Sequence, residues 1–153
     1  MKHLIWLGLV GLLACEPTPT LQFADLQLKN EEGSLHTLSE SRYTLVNLWA
    51  TWCKPCRQEM PSLEEAQVAL KPHGITIILA SEEDWGKIDR FRNQNSYTLP
   101  YLQLSPGMAA LGIHSLPTTY LFDAEGQLLY EHVGAQNWAS DSVLNEIITH
   151  LAP

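Results

Sequence analysis

The sequence has no Lys/Arg-rich run, no tract dominated by proline or glycine, and only three cysteines among its 153 residues. With nine Lys+Arg against seventeen Asp+Glu, the formal net charge is −8. The basic footprint that a phosphate backbone demands is therefore missing, and nucleic acid is not an expected partner. The nine prolines and nine glycines are dispersed and 45% of residues are hydrophobic. That excludes disorder as the main state and leaves ample apolar material for one compact domain. The longest apolar run, Leu4 to Ala14, falls short of the ~20 residues that a bilayer-crossing helix needs.

What that run does fit, behind the short cationic start Met1-Lys2-His3, is the apolar core of an export signal, which is removed rather than folded. Leu12-Leu13-Ala14-Cys15 resembles the lipobox of bacterial lipoproteins, in which the chain is cut before the cysteine and that cysteine carries the lipid. The expected division is a lipoprotein signal peptide over residues 1–14, a lipidated Cys15 and linker over 15–20, and a folded domain over 21–153. Glu16-Pro17-Thr18-Pro19-Thr20 resists helix and strand and suits a tether. An acidic domain is not held to anionic lipid by its own charge, so membrane attachment would depend on acyl chains at Cys15.

Along the domain, short alternating runs over Leu26–Lys29 and Ser34–Leu38, with Asn30-Glu31-Glu32-Gly33 between them, predict a β-hairpin. Tyr43–Trp49 is a dense apolar run, as expected of a strand buried on both faces. A helix follows from Lys54 to about Lys71, with Met60, Leu63, Ala66 and Leu70 at helical spacing and Pro61 expected to kink it. Then come a strand at Ile75–Ala80, a helix at Asp84–Asn95, an extended stretch at Leu99–Leu104 and a short helix at Gly107–Gly112. A strand at Thr118–Phe122, its hairpin partner at Leu128–Val133 and a closing helix from Trp138 to Leu151 complete the chain. Alternation of this kind predicts an α/β fold: a central mixed sheet flanked by helices on both faces, with the N-terminal hairpin as an extension.

Two cysteines stand in Trp52-Cys53-Lys54-Pro55-Cys56, where a strand ends and a helix begins. Thiolate is the reactive species, and a sulfur at a helix N-terminus faces unpaired N–H groups and the positive end of the macrodipole, which lower its pKa below the free value of ~8.5. Cys53 is the expected nucleophile, and Cys56, one turn further in, the resolving thiol. Lys54 adds positive charge beside Cys53, and Pro55 fixes φ where no donor is lost. Zinc would need two further ligands, and with the third cysteine at position 15 only scattered histidines remain, so no metal is expected. Haem attachment needs His directly after the second cysteine, and Arg57 stands there. An inert bridge would close a very small loop and constrain little of the unfolded chain.

Val46-Asn47-Leu48-Trp49-Ala50-Thr51-Trp52-Cys53-Lys54-Pro55-Cys56, followed by Arg57-Gln58-Glu59-Met60-Pro61, and later Leu116-Pro117-Thr118-Thr119 and Phe122-Asp123-Ala124-Glu125-Gly126, resemble the thioredoxin superfamily. More narrowly, they resemble the TlpA/ResA-like membrane-anchored thiol:disulfide oxidoreductases. The resemblance implies a thioredoxin-like fold over about residues 21–151 and a cis Leu116–Pro117 bond beside the disulfide. It also implies that the Leu116 backbone is free to pair with a substrate strand. Thioredoxins carry a buried Asp where this chain has Asn47, which takes no proton at working pH. Glu59 matches a glutamate regarded as an active-site residue in ResA-like proteins, and is nominated as proton shuttle or pKa tuner. Trp52 is a candidate substrate contact and, with Trp49, a candidate shield for the sulfurs, although packing suits Trp49 better.

Lesser candidates are Glu82-Glu83-Asp84, which either faces the site or is an acidic helix start, and His114, three residues before Pro117. Met60 and Met108 read as packing residues. The function expected is an extracytoplasmic oxidoreductase without cofactor, in the bacterial cell envelope. It would reduce protein disulfides, apocytochrome c among the clients that the resemblance suggests, and be recharged by a membrane thiol electron donor. The alternatives are a peroxiredoxin-like thiol peroxidase, although no Thr-x-x-Cys signature surrounds Cys53, and a non-enzymatic copper carrier or adaptor.

Overall fold

The computed structural model describes residues 20–38 and 41–151. The expected signal segment, Cys15 and most of the linker lie outside the described residues, and among those described no helix is long and apolar enough to cross a membrane.

The centre of the molecule is β2 (Tyr43–Leu48), all six of whose residues are buried. It lies parallel to β3 (Ile75–Ser81) and antiparallel to β5 (Thr118–Asp123). With β1 (Leu28–Lys29), β4 (Tyr101–Leu104) and β6 (Leu128–Val133), these strands form one mixed sheet in the order β1-β4-β3-β2-β5-β6. The β-branched and leucine-rich runs that predicted buried strands become the middle of this sheet, because a strand covered on both faces needs apolar side chains at every position. Alternate residues divide the core in two. Tyr43, Leu45, Ile75, Ile77 and Leu79 face one layer, and Val46, Leu48, Ile78 and Ala80 the other.

Three α-helices pack into the first layer: α1 (Lys54–Leu70), α2 (Trp85–Gln94) and α3 (Asp141–Thr149). The expectation of helices on both faces is corrected here in one respect. The connections β2-α1-β3 and β3-α2-β4 step across the sheet in the same direction, so two crossovers of the same hand place both helices on the same face. The opposite face is closed by 3-10 turns at Phe23–Leu26 and Ala109–Leu111 with their flanking Met108 and Ile113. Helix α1 buries Cys56, Glu59, Met60, Leu63, Ala66 and Leu70 at three- and four-residue spacing, and continues through Pro61 as one helix. It passes through a 3-10 turn to Gly74, whose φ of 77° and 3.0 Å approach to the Arg42 Cβ, measured from a Cβ built on it, admit no side chain cheaply.

Two further boundaries differ from the reading of the sequence. The predicted hairpin over Leu26–Leu38 closes through a Lys29–Leu35 bridge, with the Asn30 N–H donating to the Ser34 carbonyl at 2.9 Å and the His36 N–H to the Leu28 carbonyl at 2.7 Å, and its first arm pairs on its other edge with β4. Alternation alone does not say which neighbour a two-residue strand will choose. Helix α3 starts at Asp141 rather than Trp138. Trp138 sits in the preceding turn, 1% exposed, where a tertiary partner holds it.

Candidate active site

Cys53 is the N-cap residue of α1, in extended backbone with φ −78° and ψ 100°, and its Sγ accepts the Cys56 N–H at 3.3 Å. The two sulfurs form a disulfide with a Cα–Cα distance of 5.3 Å. Cys53 is 4% exposed and Cys56 fully buried, so any partner must reach the pair from the Cys53 side. Pro55 occupies the first turn, where a missing N–H costs the helix nothing. Trp52 leaves 71% of its surface to solvent while Trp49 is fully buried, with its ring 4.6 Å from Phe91 and 5.7 Å from Tyr101. Trp49 therefore packs the core, and Trp52 offers an apolar face outward more than it covers sulfur.

Glu59, one turn beyond Cys56, is 3% exposed. The alternative of a solvated helix charge does not describe it. Its Oε1 accepts from Asn47 Nδ2 at 2.8 Å, and its Oε2 accepts from Trp138 Nε1 at 2.8 Å and from the Gln136 backbone N–H at 3.1 Å. Burial pushes the carboxyl above its ordinary range, opposed by the hydrogen bonds from Trp138, Asn47 and Gln136, which favour the ionised form. Asn47 Nδ2 also donates to Thr119 Oγ1 at 2.9 Å, while its Oδ1 is buried without a partner. One carboxylate on α1 thus ties β2 to the turn before α3, and the Asn47 amide carries the link on to β5. A surface depression of about 330 Å³, lined by Gln58, Glu59, Ser62 and Gln136 among others, leads to it from solvent.

The Leu116–Pro117 bond is cis, as the resemblance implied. Pro117 is buried at the start of β5, and its carbonyl accepts the Gly134 N–H at 2.8 Å. Leu116 is half-buried and packs against both core layers. His114 is exposed. Among the described residues no three His, Cys, Asp or Glu side chains gather to hold a metal ion.

The acidic trio divides its labour. Asp84 caps α2 by accepting the Lys87 N–H at 3.1 Å, and Glu82 accepts the Met108 N–H at 2.7 Å. Glu83, 9% exposed, accepts from both the backbone N–H (2.6 Å) and the hydroxyl (2.9 Å) of Thr51, two residues before Cys53, and lies 3.7 Å from Lys87 Nζ. An acidic helix start accounts for Asp84 alone.

Sequence reasoning missed the partners of Glu59. Trp138 and Gln136 stand 79 and 77 residues away along the chain, and no local pattern announces such pairs. A tryptophan isolated from the apolar stripe of the closing helix was the only available signal.

Comparison with known proteins adds relatives to this geometry. A family model described as AhpC/TSA matches residues 19–131. The thioredoxin-like protein YneN of Bacillus subtilis (strain 168) is 37% identical over 119 residues, covering 74% of this chain and 70% of the relative. The thiol-disulfide oxidoreductase ResA of Geobacillus thermodenitrificans (strain NG80-2) is 31% identical over 109 residues, covering 68% of this chain and 63% of that protein, under two thirds of its length. Among solved structures, a protein from Chlorobium tepidum described as a putative thiol:disulfide interchange protein DsbE superposes with a TM-score of 0.68 at 24% identity. That match covers 82% of this chain and 92% of the other, a likeness of fold.

Proposed function

The chain belongs to the AhpC/TSA family of thioredoxin-like proteins, and on that premise we propose that it is a thiol:disulfide oxidoreductase reducing disulfides in other polypeptides. The observation that carries this is the Cys53–Cys56 disulfide at the N-terminus of α1, with the first sulfur at the helix cap and the second beneath it.

In the reduced protein the Cys53 thiolate, favoured by the amides and dipole at the helix start, attacks one sulfur of a client disulfide. A mixed disulfide forms, and the other client sulfur leaves as thiolate and takes up a proton. Cys56 gives up its proton, for which Glu59 is the nearby carboxylate on the same helix, and attacks Cys53 Sγ. The second client sulfur is then expelled. Two electrons pass to the client, and Cys53–Cys56 ends as the disulfide. The depression leading to Glu59 gives that proton an exit. Cis-Pro117 and Leu116 border the site as the backbone edge for a client strand, with Trp52 as its apolar contact.

The reading extends to place and partners. The lipobox-like Leu12-Leu13-Ala14-Cys15 supports a lipid-anchored lipoprotein facing the periplasm or an equivalent extracytoplasmic space, recharged by a membrane thiol donor. Apocytochrome c is the client class that the ResA-like motifs favour.

Reduction of insulin disulfides tests the core of the reading. Wild type should be active, Cys53→Ser inactive, and Cys56→Ser trapped as a mixed disulfide visible by mass. Unchanged activity in Cys53→Ser overturns the assignment, and peroxide turnover exceeding disulfide exchange would favour the thiol peroxidase instead.

A further inference from the structure

Between α2 and the segment that carries the redox pair, which it touches at Thr51, two residues before Cys53, and at Arg57, next to Cys56, lies a pocket of about 390 Å³ lined by Thr51, Arg57, Lys87, Arg90, Phe91 and Gln94. Three of its six lining residues are cations, in a chain whose net charge is −8. Arg57 and Arg90 are exposed, and neither has a carboxylate partner within ion-pair distance among the described residues. The acidic groups nearest in the sequence are engaged elsewhere: Glu83 holds Thr51 and approaches Lys87, Asp84 caps α2, and Asp89 pairs with Arg92 at 2.7 Å. The protein therefore gathers positive charge at this one concave place and leaves two guanidinium groups uncompensated.

We propose that this pocket receives a carboxylate-bearing segment of the client polypeptide, next to the client cysteine that Cys53 engages. The inference rests on the oxidoreductase reading and deepens it by naming what flanks the reacting sulfur. Guanidinium groups present paired donors that match a carboxylate, the Gln94 amide adds a donor, and Phe91 forms an apolar wall for the methylenes of Glu or Asp. Thr51 precedes Cys53 by two residues, a reach of at most ~7 Å along the chain, and an extended client advances ~3.3 Å per residue. The preferred carboxylates therefore lie two to four residues from the client cysteine. Charge complementarity of this kind sets partner choice and encounter rate more than raw affinity. A concave pocket beside the redox pair suits a polypeptide side chain better than a flat anionic lipid surface.

The test uses two ten-residue peptides with serine in place of cysteine, one carrying two Glu at three and four residues from it, the other Gln at both places. Calorimetry at low salt should show the Glu peptide binding at least about fivefold tighter, the preference that one or two exposed ion pairs supply. That preference should vanish in Arg57→Gln/Arg90→Gln, and Arg90→Glu should favour a Lys peptide over the Glu one. Equal binding of the Glu and Gln peptides to wild type overturns the proposal. So does phosphatidylglycerol vesicle binding that depends on the same arginines while the peptides do not bind, and so does binding of free phosphate that equals that of the Glu peptide. Cystine versions of the peptides separate this from the parent reading. Wild type and the double variant should reduce the Gln version at the same rate. Failure to reduce either version sinks the oxidoreductase while the calorimetry still judges the pocket.

Discussion

Glu59 shows how one side chain's environment decides its chemistry. Ionised, it consumes three donors, and losing any of them would strand a buried polar group. Protonated, it needs an acceptor, and the unpartnered Asn47 Oδ1 belongs to the amide already touching it. Half a turn of that amide would offer Oδ1 both to Glu59 and to the Thr119 hydroxyl. Because burial raises its pKa, the folded chain holds this proton to a higher pH than the unfolded chain does, and the carboxylate that takes the Cys56 proton is the form present above that pH. The corresponding stability is present below the unfolded-state pKa and is lost as pH rises through the folded one. Urea unfolding of the oxidised protein should therefore show stability falling with pH above the ordinary carboxylate range. Glu59→Gln should be flat there, at a cost of about 1–3 kcal/mol for turning an NH₂ toward a donor. In the same variant the resolving step should slow, seen as a longer-lived mixed disulfide.

At the scale of elements, the site depends on how the β2–α1 connection is held. Glu83, at the start of the β3–α2 connection, accepts two hydrogen bonds from Thr51, so the segment bearing Cys53 is moored to the neighbouring crossover. Glu83→Ala should lower unfolding free energy by about 1–3 kcal/mol, since it leaves Thr51 donors unsatisfied in a partly buried place. It should also speed hydrogen exchange at the Thr51 amide, with Glu83→Gln recovering part of both. Equal exchange in Ala and wild type would show that the mooring is idle. Much of the rest was legible from spacing: β2, β3, β5, β6, α1 and α2 lie within a few residues of where hydrophobic period and caps put them. Long-range choices were not. The partner of a two-residue strand, the late start of the closing helix and the donors to Glu59 are all settled by contacts between distant segments, which periodicity does not encode.

For the molecule as a whole, no helix among the described residues is long and apolar enough to cross a membrane, and the proposed attachment rests on Cys15. The full chain expressed in a bacterium should partition with detergent and carry acyl mass on Cys15, while Cys15→Ser should stay in the aqueous phase. A native chain without acyl mass would remove the anchor from the proposal. Legibility was greatest for the redox pair, because a helix-capping Cys-x-x-Cys is local chemistry, and least for the web around it. That web has a practical consequence. The Trp138 indole donates directly to Glu59, so the emission of this tryptophan is exposed to the charge of the carboxylate, and the protein carries an intrinsic optical reporter of its own buried proton, readable without any added dye.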